Sequence, residues 1–163
     1  LAKTGVLRSA YMLGNGEEVM LAATDLLAET KVAPELSNEA HYYRAKAYLD
    51  AGKVEGAMDD LKILAKDTRN IYGAEAKYKV AQIYFDAGQT GQAEKEVLDY
   101  IEVSTPHTYW LARSFVLLSD VYMKLGRNLD AKQYLLSLKQ NYQADDDIAG
   151  MIESRLNKLN AEN

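Results

Sequence analysis

Three stretches of the chain decide its fold: AHYYRAKAYLDAG (Ala40 to Gly52), AKYKVAQIYFDAG (Ala76 to Gly88) and SFVLLSDVYMKLG (Ser114 to Gly126). They align without gaps. Each holds a small residue, a Tyr three later and a Gly four after that: Ala45-Tyr48-Gly52, Ala81-Tyr84-Gly88 and Ser119-Tyr122-Gly126. Five residues past each Gly stands an alanine, Ala57, Ala93 or Ala131, and four further on stands Leu61, Val97 or Leu135.

Each position has a physical reason. The small residue lets a neighbouring helix approach closely, and the Tyr ring fills the gap between two paired helices. The Gly suits a helix end where the chain turns left-handed without steric penalty. The Ala then marks where a second helix crosses the first, and a turn this short forces the two helices antiparallel. The second helices show one apolar face each, through Val54, Ala57, Leu61 and Leu64, through Ala93, Val97, Tyr100 and Ile101, and through Ala131, Leu135, Leu138 and Tyr142, with Tyr134 beside the last.

The flanks extend the pattern. Ser9, Met12 and Gly16 stand in the small–aromatic–Gly places of a degenerate first repeat if one residue is inserted, with Ala22 and Leu26 in its second helix. Thr30 to Ser37 reads as the loop before the second repeat, with Ser37 as N-cap. Thr105 is read as the N-cap of the last repeat and Pro106 as its first helical residue. From about Asp146 to Asn160, Ile148, Met151, Ile152, Leu156 and Leu159 form one apolar face opposite polar side chains, the pattern of a helix that closes the last open face of a repeat array. The acidic run Asp145-Asp146-Asp147 suits that helix's N-terminus.

Composition bounds the function. The chain has 163 residues, 48% of them apolar, a formal charge of −5 and no cysteine. That supports a substantial core and excludes disulfides, thiolate metal sites and cysteine nucleophiles. Basic residues alternate with acidic ones, so the clustered footprint that displaces counterions from nucleic acid is missing. No apolar run reaches the roughly 20 residues of a membrane-spanning helix. The chain opens at Leu1 without a methionine and reads as a fragment or processed form.

No constellation of side chains promises chemistry, and neither a catalytic, a cofactor-binding nor a metal-binding residue is expected. His41 and His107 lie on different repeats, with no metal-ligand spacing around them. Gly14-Asn15-Gly16 reads as a turn and lacks the Lys-Ser/Thr of a phosphate loop. Asp59 and Asp60 are neighbours on a helix and point apart. Trp110 reads as packing between neighbouring repeats, with contact to a ligand as the alternative.

The recurring residues resemble the tetratricopeptide repeat, which carries a small residue at its eighth position, Tyr at its eleventh, Gly after its first helix and Ala early in its second. The resemblance implies an all-α, right-handed α-α superhelix. It would comprise about four helix pairs, near residues 1–32, 37–67, 72–103 and 106–142, and a capping helix near 146–160, forming one domain over 1–163. The spacings depart from the 34-residue standard. Tyr48 to Tyr84 is 36 residues and Tyr84 to Tyr122 is 38. Long repeats of this kind are similar to those of bacterial cell-envelope members, which points to the periplasm or envelope ahead of the cytoplasm.

The resemblance also implies a function. Arrays of this family hold peptides or helices against the concave face of their first helices. Carried over by register, that groove comprises Tyr42, Lys46 and Leu49, then Tyr78, Gln82 and Phe85, then Val116, Asp120 and Met123. Tyr42, Tyr78 and Phe85 read as exposed aromatics. Tyr42 and Tyr78 replace the lysines with which chaperone-binding members clamp a C-terminal carboxylate, which disfavours that ligand. The expectation is a non-catalytic scaffold for another protein or peptide. The alternative is a structural or oligomerisation module, in which the groove pairs with a second copy.

Overall fold

The computed structural model describes residues 2–103 and 105–162. The described residues form nine α-helices and no strand: α1 (Ala2–Met12), α2 (Gly16–Leu27), α3 (Pro34–Asp50), α4 (Val54–Leu64), α5 (Ile71–Asp86), α6 (Thr90–Glu102), α7 (Thr108–Lys124), α8 (Asn128–Asn141) and α9 (Ile148–Ala161). α1 packs on α2, α2 on α3 and α3 on α4; further along, α6 packs on α7, α7 on α8, and α9 on both α7 and α8.

The contacts divide the chain into two compact units, Leu1–Ala76 and Lys77–Asn163. The first has a core of Leu7, Ala10, Val19, Ala23, Leu26, Ala40 and Ala47. The second is built around Ala93, Val97, Tyr100, Leu118, Val121, Leu135, Ile148 and Ile152. The apolar faces of the second helices are buried as their spacing requires, through Ala57, Leu61 and Leu64, Ala93, Val97 and Tyr100, and Ala131, Leu135 and Leu138. Val54 is exposed at the first position of α4. The small residues Ala45, Ala81 and Ser119 are buried. Of the three repeat tyrosines only Tyr122 is fully buried; Tyr48 and Tyr84 lie half-exposed.

The turns between paired helices share one geometry. Gly52, Gly88 and Gly126 have φ of 73°, 78° and 75°. The N–H after each glycine reaches back five residues, Lys53 to the Tyr48 carbonyl (2.8 Å), Gln89 to Tyr84 (2.9 Å) and Arg127 to Tyr122 (2.8 Å). This is the bond that closes a Schellman motif and satisfies the orphan carbonyls of a helix end.

The first repeat uses the same turn, and this corrects the sequence-based register. Its left-handed residue is Gly14 (φ 70°), and Asn15 N–H donates to the Ala10 carbonyl (3.0 Å). Gly16 is the first residue of α2. No insertion is needed: Ala10 takes the tyrosine place, Val19 the alanine place and Ala23 the leucine place, all buried. A small residue facing a larger one has replaced a large residue facing a small one, which keeps volume at the crossing and hides the match. Asn15 caps α2, accepting from Glu18 N–H (3.2 Å) while its amide donates to the Glu18 carboxylate (3.3 Å).

Two helix starts also differ from expectation. α3 begins at Pro34 behind Ala33, three residues before Ser37, because proline's fixed φ is already helical and its missing N–H is not needed there. α7 begins at Thr108 with His107 as N-cap. Thr105 instead forms a local turn whose hydroxyl accepts from His107 N–H (3.1 Å), which leaves Pro106 outside the helix. α9 starts at Ile148, and Asp146 accepts from the Ile148 N–H (2.9 Å), so the acidic run precedes the helix.

Candidate functional site

The first helices α1, α3, α5, α7 and α9 carry side chains that link each to the next. In the N-terminal unit, Arg8 on α1 grips Glu39 on α3 with both arms of its guanidinium (2.7 and 2.9 Å). The Arg8 bond, acting against burial, holds the Glu39 carboxyl below its usual range. Tyr42 on α3 donates to the Glu75 carboxylate (3.0 Å), which also lies 3.6 Å from Lys46 Nζ. Burial, reinforced by the Glu75 charge, pushes the Tyr42 hydroxyl up to about 12, so it stays a donor at neutral pH.

The C-terminal unit repeats this with other chemistry. Arg113 on α7 lies against the rings of Tyr78 (4.9 Å), Trp110 (5.8 Å) and Tyr109 (6.0 Å). It donates to the hydroxyls of Tyr78 and Tyr109 (3.1 Å each). Those hydroxyls pass the chain on, Tyr109 to Asp147 (2.8 Å) and Tyr78 to the Gln82 carbonyl (2.9 Å), whose amide donates to Asp86 (2.8 Å). Asp120 on α7 accepts a bidentate pair from Arg155 on α9 (2.8 and 2.9 Å).

These links decide what the nine expected groove residues do. Tyr78 is only 6% exposed and Val116 3%, so the expectation of an exposed ring at Tyr78 is corrected: Trp110 and Arg113 cover it. Tyr42 and Lys46 are spent on Glu75, Gln82 on Tyr78 and Asp86, and Asp120 on Arg155. Leu49 is half-buried. Trp110 takes the packing role, tilted on Tyr78 and edge-on to Tyr109.

Three of the nine meet at one place. Phe85, Asp120 and Met123 line a cleft of about 420 Å³ in the C-terminal unit, with Lys124 at the end of α7 and Lys158 and Glu162 on and after α9. Phe85 and Met123 are half-buried, Lys124, Lys158 and Glu162 exposed. Two apolar side chains ringed by charged tips can anchor an apolar residue and hydrogen-bond its backbone, while the Arg155 pair fixes one wall. The sequence reading missed the α9 contribution, because the capping helix carries no repeat consensus from which a groove position can be counted.

The most highly bonded buried charge lies elsewhere. Asp60 on α4 is 1% exposed and accepts from Arg44 Nε (2.8 Å) and Nη2 (2.7 Å), with His41 Nδ1 at 2.7 Å. Arg44 Nη1 also donates to the Thr24 hydroxyl (2.9 Å). Burial by itself would raise the Asp60 carboxyl, but the Arg44 and His41 bonds outweigh it and hold the group below its usual 3.8. The arrangement ties α2, α3 and α4 together; His41 is a partner of Asp60. No group of three or more His, Cys, Asp or Glu that could hold a metal ion occurs among the described residues. No helix among them is long and apolar enough to cross a membrane.

No family model matches the chain, and no curated protein matches it. Solved structures do. Crystal structures of the nearly identical TPR-like repeats of a kinesin light chain-like protein from Podosopora anserina superpose with a TM-score of 0.65 at 15% identity, covering 97% of this chain and 83% of that one. A single-substitution variant of that protein gives 0.61 at 14% identity, covering 98% and 92%. The fold is that of TPR-like helical repeat proteins. At this identity the likeness speaks to fold alone.

Proposed function

We propose that the chain is a non-catalytic protein-interaction scaffold that takes a peptide or helical segment of another protein along its first-helix face. The cleft formed by Phe85 and Met123, walled by the Asp120–Arg155 pair, carries this reading. It is apolar at its base, charged at its rim and built on helix ends whose positions are fixed by neighbouring links, which is how helical-repeat surfaces anchor a segment. The long repeats favour a partner in the bacterial envelope. The test is a pull-down from a host envelope extract, comparing the intact chain with a Phe85→Ala, Met123→Ala double variant whose helicity is checked by circular dichroism. Retention by the intact chain and loss by the variant supports the cleft; equal retention by both rejects it.

A structural or oligomerisation module is the second reading. It is favoured by Met12, 85% exposed, and Leu13, 81% exposed, beside the first turn. Large apolar side chains left in water together mark contact surfaces. Sedimentation velocity over a hundredfold concentration range separates the two: a mass that rises with concentration supports self-association.

A further inference from the structure

The two units solve one packing problem differently. In the C-terminal unit, the residue after the turn glycine, Arg127, lies over the Tyr122 ring (4.4 Å) and reaches Glu94 on the preceding second helix, α6 (3.6 Å). The Tyr122 hydroxyl faces the same carboxylate. Ring, guanidinium and carboxylate thus sit together beside the α7–α8 turn, where Arg127 Nε also donates to Asp130 (2.8 Å).

The corresponding positions of the N-terminal unit, counted from Gly14 and Gly52, are Tyr48, Lys53 and Met20. Methionine replaces the glutamate, so the ion pair is lost. Among the described residues the Tyr48 hydroxyl makes no hydrogen bond and no cation stacks on its ring, while its carbonyl closes the α3–α4 turn. The groove between α2 and the α3–α4 turn is open, with a volume of about 650 Å³. Met20 and Leu21 form its apolar wall, and Leu21 is 73% exposed. Glu17 and Asp25 stand along it on α2 and Lys53 on its far edge, and among the described residues no ion pair joins Lys53 to either acid. Asp25 has only an exposed contact to Lys3 (3.4 Å).

We propose that this groove receives an arginine side chain from a partner protein, its guanidinium over the Tyr48 ring and its stem along Met20 and Leu21. The partner supplies in trans what Arg127 supplies within the chain. The chemistry selects arginine. A flat guanidinium stacks on an aromatic face better than an ammonium does, and its three methylenes cover apolar wall while the charge stays wet. The lining carries two carboxylates, Glu17 and Asp25, and one ammonium, Lys53; with Asp25 also met by Lys3 from α1 (3.4 Å), Glu17 is the acid that favours a cation and disfavours an acidic group. This site is separate from the Phe85–Met123 cleft and stands or falls independently of it.

The test uses the intact chain, labelled for heteronuclear NMR and titrated with the capped peptide Gly-Leu-Arg-Leu-Gly and its Gln and Glu analogues. The arginine peptide is expected to move the Leu21, Thr24 and Tyr48 amides saturably, the Gln peptide to bind at least fivefold more weakly, and the Glu peptide to leave them unmoved. Met20→Glu with Lys53→Arg rebuilds the intramolecular trio and is expected to reduce binding at least tenfold. Leu21→Ala, at an exposed position, is expected to weaken it severalfold with the fold intact. Equal binding of the Gln peptide overturns the choice of arginine. Absence of saturable shifts at millimolar peptide, or undiminished binding by both variants, overturns the site.

Discussion

Arg44 and Asp60 meet side-on through two hydrogen bonds of 2.8 and 2.7 Å, with the carboxylate almost wholly out of water. Removing one partner of such a pair strands a buried charge, which costs about 3–5 kcal/mol. Arg44→Met is therefore expected to lower the urea midpoint by far more than Arg69→Met, whose partner Asp67 is exposed beside it on the surface. Denaturation followed by far-ultraviolet circular dichroism measures both.

The same carboxylate gives a signed pH dependence. Its native value lies below its usual 3.8, so the stability it contributes is present above that value and is lost as pH falls through the native one. Asp60→Asn is expected to be less stable than the parent at neutral pH and to show a shallower loss between about pH 4 and pH 2. Equal acid slopes in parent and variant would remove Asp60 from the account.

The turn register yields a pair of opposite outcomes. Gly14→Ala forces a Cβ into a left-handed conformation and should cost about 1–2 kcal/mol, as should Gly126→Ala. Gly16→Ala, in helical backbone with its nearest neighbour at 3.9 Å, should be neutral or stabilising by up to about 1 kcal/mol. Thermal midpoints decide it: a Gly16 variant that loses stability and a Gly14 variant that does not would restore the register with an insertion.

Gly73 is predicted to be the least replaceable glycine. A Cβ there would lie 1.9 Å from the Asp67 carbonyl oxygen and 2.6 Å from that of Leu64, and backbone does not yield as side chains do. Gly73→Ala is expected to destabilise by about 3 kcal/mol or more, against 1–3 for ordinary overpacking. Gly91→Ala, facing open space, serves as the control in the same denaturation series.

Tyr78 and Phe85 share the first-helix face but should separate cleanly by experiment. Tyr78→Ala removes a buried ring under Trp110 and should cost about 3–5 kcal/mol of stability. Phe85→Ala should cost less stability and more partner binding, read as the ratio of captured protein to folded fraction.

What the sequence made legible follows from range. The turn glycines and the alanines five residues on act within a few residues of each other, so periodicity exposes them. The links that decide the groove span 31 residues for Arg8–Glu39, 33 for Tyr42–Glu75 and 35 for both Tyr78–Arg113 and Asp120–Arg155. At that distance nothing in the pattern distinguishes a tyrosine that faces solvent from one that an arginine covers. One chemical exchange hides the first repeat, Ala10 for tyrosine against Val19 for alanine, which conserves volume but not letters. Thr105-Pro106 reads as a helix start in sequence because a hydroxyl that caps a helix and one that closes a tight turn are the same residue type.

Those links, each joining a first helix only to the next, set how the chain comes apart. Releasing Arg155 from Asp120 leaves Arg113 and its tyrosines in place, and releasing Arg8 from Glu39 leaves Tyr42 on Glu75. Each unit also keeps a core of its own. Within each unit disorder can therefore enter at the terminal helix and advance one helix pair at a time, so that amide exchange would slow away from α1 in one unit and from α9 in the other, and a single melting temperature would average several local openings.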